Sequence, residues 1–151
     1  MIYVIQLIAA FFGSMGFSVL YNTRRTKMLI SALGGAIGWG VFLLINLFVT
    51  KSDPLAFMTA AMAVTVYAEI FARIKKTPTT TFLVTGIIPM IPGSSLYYTM
   101  NYAFNNDLEN FYLTGMYTLK AALALAVGII IVSTAVHMMT AVIQKLFKKK
   151  A

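Results

Sequence analysis

The chain has 151 residues, of which 60% are hydrophobic and 11% charged, and a mean hydropathy of +0.83; such values exclude an ordinary soluble domain and indicate an integral membrane protein. With no cysteine and a single histidine, disulfides, thiolate sites and a zinc centre are excluded, and neither metal nor other cofactor is expected. The net charge of +8 does not read as nucleic-acid binding, because the basic residues sit at the ends of apolar runs, where topology signals belong.

The first run, residues 1–21, contains Gly13 and Gly16, and its positive charges, Arg24, Arg25 and Lys27, follow it. A secretory signal has the reverse order, so a retained helix with its N-terminus outside is expected. The second run, 28–50, is long enough to cross a hydrocarbon core of ~30 Å. Gly34 and Gly38, with Ala36 and Gly40, form a small-residue stripe suited to close helix packing. Asp53 and Pro54 then suit the start of a third helix, by capping and by tolerance of a first helical position.

The third run, 55–72, holds Glu69, four residues before Arg73 and close to Lys75 and Lys76. Two readings of Glu69 stand: an i,i+4 ion pair near the cytoplasmic end, or an ionisable group at membrane depth that handles protons or charge together with Arg73. A fourth span covers 79–104, and a fifth, 121–143, carries Ala122, Ala124, Ala126 and Gly128 as a second packing stripe. Leu108 to Lys120 mixes aromatic and polar residues and reads as interfacial, with Tyr112 and Tyr117 at headgroup depth. His137, alone of its kind, is either a packing residue or a proton relay.

Arg24, Arg25 and Lys27, then Arg73, Lys75 and Lys76, then Lys145, Lys148, Lys149 and Lys150 share one side, against Lys51 and Lys120 on the other, if the chain crosses five times. The expected fold is therefore all-α and membrane-integral, one domain of five transmembrane helices over residues 1–151. Its N-terminus lies outside, its C-terminus inside, and the fourth helix is interrupted at a Pro-x-x-Pro-Gly break.

That break is where a site is expected. Pro89 and Pro92 lack the N–H groups that would bond the carbonyls of Thr85 and Ile88, so both carbonyls are expected to be unpaired. Gly93 permits a left-handed turn, and Ser94 or Ser95 can cap a second half-helix through Tyr97 and Tyr98. Irregular backbone at membrane depth is tolerated only where protein or a polar cavity surrounds it. Carbonyls on one side and helix-terminal N–H groups on the other suit a zwitterionic amino acid or a small carboxylate. The alternative is a proline kink that merely bends a packed helix. Thr85, Gly86, Ile88, Pro89, Pro92, Gly93, Ser94, Ser95 and Tyr97 form the expected solute site, with Glu69 and Arg73 as the charge-coupling pair.

The pattern G-I-I-P-M-I-P-G from Gly86 to Gly93, followed by Ser94 and Tyr97, resembles the signature of the threonine/serine exporter family, in particular its C-terminal domain or separate small subunit. A-E-I-F-A-R-I-K-K-T-P from Ala68 to Pro78, G-F-S-V-L-Y-N from Gly16 to Asn22 and G-G-A-I-G-W from Gly34 to Trp39 resemble further segments of that family, in the same order. The resemblance implies proton-driven efflux of small amino acids across a bacterial inner membrane. It also implies a larger membrane subunit as partner, or self-association. Split relatives associated with dicarboxylate export keep a succinate-type substrate as an alternative. A structural or assembly subunit is a second class. An enzyme is not expected, since the spans lack a Ser/His/Asp set, paired carboxylates or metal ligands.

Overall fold

The structure is a computed structural model, described here for residues 1–49 and 53–148. Six helices follow one another: α1 (Ile2–Leu20), α2 (Arg25–Phe48), α3 (Asp53–Ile74), α4 (Thr80–Ile87), α5 (Gly93–Phe104) and α6 (Leu108–Lys148), with a 3-10 turn at Ile88–Met90 between α4 and α5. Four of them, α1, α2, α3 and α6, are long and apolar enough among the described residues to cross a membrane.

Small residues set how these helices meet. A Cβ on Gly35 would overlap the Ser14 hydroxyl, and one on Gly40 would come within 3.4 Å of Leu7, so α1 and α2 run antiparallel at close range. On its other side α2 packs against α3, antiparallel again: the Tyr67 hydroxyl donates to the Ile30 carbonyl (2.8 Å) at one end, and Asn46 donates to the Asp53 carboxylate (2.6 Å) at the other. Helix α4 crosses α2 at glycine on glycine. A Cβ on Gly86 would lie 3.6 Å from the Gly34 carbonyl carbon and 3.7 Å from the Gly35 nitrogen. The stripe read from Gly34 and Gly38 is thus a packing seam that admits α3 and α4 together.

Ala60 and Ala61 of α3 are fully buried in a cluster shared with α6, and their small side chains let α6 lie alongside. A Cβ on Gly128 of α6 would come within 3.0 Å of Ala61, and the Arg73 guanidinium donates to the Thr140 hydroxyl (2.8 Å). Both pairings keep nearly the same offset in sequence, so α3 and α6 run parallel. The main core joins Phe57, Ala60, Ala61 and Val64 of α3 to Met90 of the 3-10 turn and to Ala121 and Leu125 of α6. A smaller cluster joins Ile30, Ala68, Ala72 and Phe82.

Three helix ends close in the same way. Asn22, Lys76 and Asn106 take positive φ, and the next N–H in each case returns to a carbonyl five residues back: Thr23 to Ser18 (2.9 Å), Thr77 to Ala72 (3.0 Å) and Asp107 to Tyr102 (3.0 Å). These are Schellman closures built without glycine. Asp107 then starts α6 by accepting from the Asn110 backbone and side chain, at 3.2 and 2.8 Å.

Several expectations need adjusting. The last helix begins at Leu108, not Ala121, so the stretch read as interfacial is its first third. His137 is exposed on α6, not packed within the chain. Residues 50–52 lie outside the described residues; Asp53, read as the cap of α3, is the first residue of that helix, and its carboxylate accepts from Asn46. The Ile88 carbonyl is not free: it accepts from Ile91 N–H at 3.1 Å, as a 3-10 turn permits. Gly93 is not left-handed, since no glycine among the described residues has positive φ. Instead Pro92 (φ −74, ψ 58) is the centre of an inverse γ-turn in which Gly93 N–H donates to the Ile91 carbonyl (2.7 Å). Neither Ser94 nor Ser95 caps α5, whose first turn carries no side-chain cap.

Candidate functional site

Pro89 ends the α-helical hydrogen-bond pattern of α4, the 3-10 turn takes over for three residues, and Ile91 is extended (φ −64, ψ 125). The backbone therefore leaves the α1–α2–α3 bundle at this point, and α5 packs on α6 instead. The space beside the turn is a cavity of about 280 Å³, lined by Gln6, Ala9, Ala10 and Gly13 of α1, Trp39 of α2, and Ile88 and Pro89. Its walls are mostly apolar, with a few polar groups in fixed positions, the usual make-up of a small-molecule site.

Two of those groups, on Gln6 and Trp39, and the neighbouring Ser14 hydroxyl outside the lining are unsatisfied. Gln6 Oε1, Trp39 Nε1 and Ser14 Oγ are each buried with no hydrogen-bond partner among the described residues. Ser14 is wholly buried at the contact with Gly35, and Pro89 Cγ is 3.3 Å from where a Gly35 Cβ would stand. The Trp39 ring is held by stacking on Phe42, centroids 5.0 Å apart. An unpaired buried donor or acceptor costs about 1–3 kcal/mol, so the amide oxygen of Gln6 and the indole N–H of Trp39, both unpaired on residues that line one cavity, are suited to turn toward a bound polar solute.

The sequence model of the family described as Threonine/Serine exporter, ThrE, matches residues 6–135. The chain belongs to that family. No curated protein and no solved structure matches it. The match begins at Gln6, so it covers the cavity wall on α1 as well as the proline-containing turn.

The residues singled out from the exporter signature fall into separate groups. Ile88 and Pro89 line the cavity. Thr85 and Gly86 are buried one turn earlier, where Thr85 donates to the Thr81 carbonyl (3.1 Å) and Gly86 presses on Val64. Pro92, Gly93, Ser94, Ser95 and Tyr97 belong to the α5 side and do not line it. Ser95 donates to the Pro92 carbonyl (3.0 Å), and its hydroxyl lies 2.9 Å from that of Thr118 on α6. Gly93, Ser94 and Tyr97 are exposed.

Glu69 is nearly buried, 12% exposed at its side chain, and its carboxylate lies 4.0 Å from the Arg73 guanidinium. Since Arg73 also reaches Thr140, the pair belongs to the α3–α6 face, away from the turn. Sequence reading missed Gln6, Ser14 and Trp39. The available signal was Gln6 itself, the one amide side chain in the first apolar run.

Proposed function

We propose that this exporter-family chain carries small neutral amino acids of the threonine/serine type outward across a bacterial inner membrane, with the solute bound beside the 3-10 turn at Ile88 and Pro89. One observation carries the reading: the cavity at the interrupted backbone is lined by two residues with unpaired buried polar atoms, Gln6 and Trp39, and by no charged side chain. A zwitterion has no net charge to bury, whereas a dicarboxylate brings two and would need cations beside it. A second reading, export of a dicarboxylate, has a different observation in its favour: a cavity of about 510 Å³ lined by Arg24, Thr26, Lys27 and Lys75.

In the proposed topology α4, the turn and α5 together form a fourth crossing. The parallel course of α3 and α6 supports it, because the chain between them has to return over the length of the bundle. The N-terminus is then outside and the C-terminal lysines inside, as the distribution of basic residues favours. Glu69 and Arg73 are the proposed charge-handling pair, on the ground that a carboxylate this deeply buried is costly unless paired or protonated. A partner is also part of the reading, either a larger membrane subunit of the family or a second copy. Gly13 borders the cavity, and a Cβ added at Gly13 or Gly16 would meet no neighbouring helix within 4 Å among the described residues.

Efflux of labelled threonine, serine and succinate from cells with and without the chain, its family partner co-expressed, tests the proposal. Amino-acid efflux is expected to rise and succinate efflux to stay level, with Glu69→Gln abolishing the response to an imposed proton gradient. Succinate efflux alone would establish the second reading, and no change for any of the three would refute export by this chain.

A further inference from the structure

A second cavity lies on the same α1–α4 seam, toward the end where α1 finishes and α4 starts. It measures about 310 Å³ and is lined by Tyr21, Thr23, Thr80, Thr81, Val84 and Thr85. Five of those six side chains carry a hydroxyl, and none carries a charge. Thr85 is one turn before Ile88, so the two cavities follow each other along α4. The first is lined on α1 from Gln6 to Gly13, and the second by Tyr21 and Thr23 just past the end of α1. At ~1.5 Å per helical residue, Gln6 to Leu20 is ~21 Å, so the two cavities lie apart by most of a hydrocarbon core of ~30 Å.

Between the cavities the seam is tight and polar. Ser14 and Ser18 of α1 and Ser31 of α2 are all wholly buried. Ser18 donates to the Ser14 carbonyl (2.8 Å), while the Ser14 and Ser31 hydroxyls have no partner among the described residues. Ser14 meets Gly35 with no room for a Cβ, and Pro89 closes the same point from the other side. A seam serving packing alone has no need of two orphaned buried hydroxyls, each costly where it stands.

We propose that the hydroxyl-lined cavity is a second solute site, the cytoplasmic entry site for a neutral hydroxy amino acid, separated from the outer cavity by the Ser14–Gly35–Pro89 constriction. Hydroxyls both donate and accept, so they serve ammonium, carboxylate and side-chain hydroxyl of one solute without fixing a charge. The inference rests on the export reading above and adds to it a place where the solute waits before the constriction.

The chain has no cysteine, so single-cysteine variants report directly on access. Val84→Cys for the inner cavity, Ala9→Cys for the outer one and Ile70→Cys, half-exposed on α3, are made in the full chain and treated with a membrane-impermeant maleimide. Both faces are tested, in inside-out and right-side-out vesicles. Val84→Cys is expected to react only from the cytoplasmic face, at least tenfold faster than Ile70→Cys, and to be protected several-fold by threonine or serine but not by succinate. Ala9→Cys is expected to react only from outside. Reaction of Val84→Cys no faster than Ile70→Cys would overturn the inference by making the cavity a lipid-facing groove. Lack of protection, or reaction of both positions from one face, would overturn it as well. Efflux by the unmodified chain is measured in parallel. Efflux without labelling or protection removes the entry site and leaves export standing; labelling without protection or efflux removes both.

Discussion

Gly16 and Gly38 are the same residue type in the interiors of neighbouring helices, yet their surroundings give a substitution opposite signs. A Cβ on Gly38 would overlap Val64 Cγ2 and lie 2.9 Å from Met90 Sδ. Val64 is fully buried and β-branched, so it has little freedom to move aside. A Cβ on Gly16 would meet nothing beyond its own helix within 4 Å among the described residues. Gly38→Ala is therefore expected to destabilise the chain by ~1–3 kcal/mol through overpacking. Gly16→Ala is expected to stabilise it by ~0.5–1 kcal/mol, because alanine loses less freedom in a helix than glycine. Thermal unfolding of the two variants in detergent checks this. Equal shifts for both would show that the close approach of α2, α3 and the 3-10 turn is not what these glycines serve.

Helices α5 and α6 meet along a single hairpin, with Ser95 opposite Thr118 and Thr99 opposite Gly115, where an added Cβ would come within 3.3 Å of Thr99 Cγ2. The principal contacts of α5 are with α6 alone, so the hairpin stands or opens as a unit. Gly115→Leu is expected to pry it apart. Amides of 93–107 should then exchange with solvent at least tenfold faster while those of α2 and α3 keep their protection, as hydrogen-exchange mass spectrometry would register; uniform loss of protection would contradict this independence. The hairpin also marks the limit of what was legible in the sequence. Apolar run length disclosed α1, α2 and α3 nearly end to end, because length and hydropathy are local properties. The two prolines disclosed where α4 has to stop. That α5 would leave the bundle was not legible, since it depends on which helix offers Thr118 and Gly115 to receive it. The early start of α6 was hidden for a similar reason. Its first third is amphipathic and polar at intervals, and only the pairing with α5 fixes it as helix. The cavity was half legible: Ile88 and Pro89 announce themselves, but Gln6 and Trp39 come to it through packing across α1 and α2, which no single run encodes.

At the scale of the whole molecule, the 41 residues of α6 make a rod of roughly 60 Å, about twice a hydrocarbon core. The excess has a direction. Asp53 and Pro54, at the start of α3, share a cavity with Tyr117 and Lys120, and Arg73 near its end bonds Thr140. Residues 108–116 therefore extend beyond the start of α3, and α5 folds back along them. On the proposed orientation this hairpin stands on the outer side, with its tip at Asn105 to Asp107. Exposed Tyr97, Tyr98, Tyr112 and Tyr117 along it suit headgroup depth, where aromatic rings keep one edge wet. The alternative orientation would place Arg24, Lys27, Arg73 and Lys75 outside, against the tendency of basic residues to stay in the cytoplasm. Asn106→Cys is accordingly expected to react with an impermeant maleimide added to intact cells, while a cysteine tag following Ala151 reacts only after the membrane is opened. Labelling of the C-terminal cysteine but not of Asn106→Cys in intact cells would mean an even number of crossings, and α4, the turn and α5 would then form a re-entrant excursion instead of a fourth span.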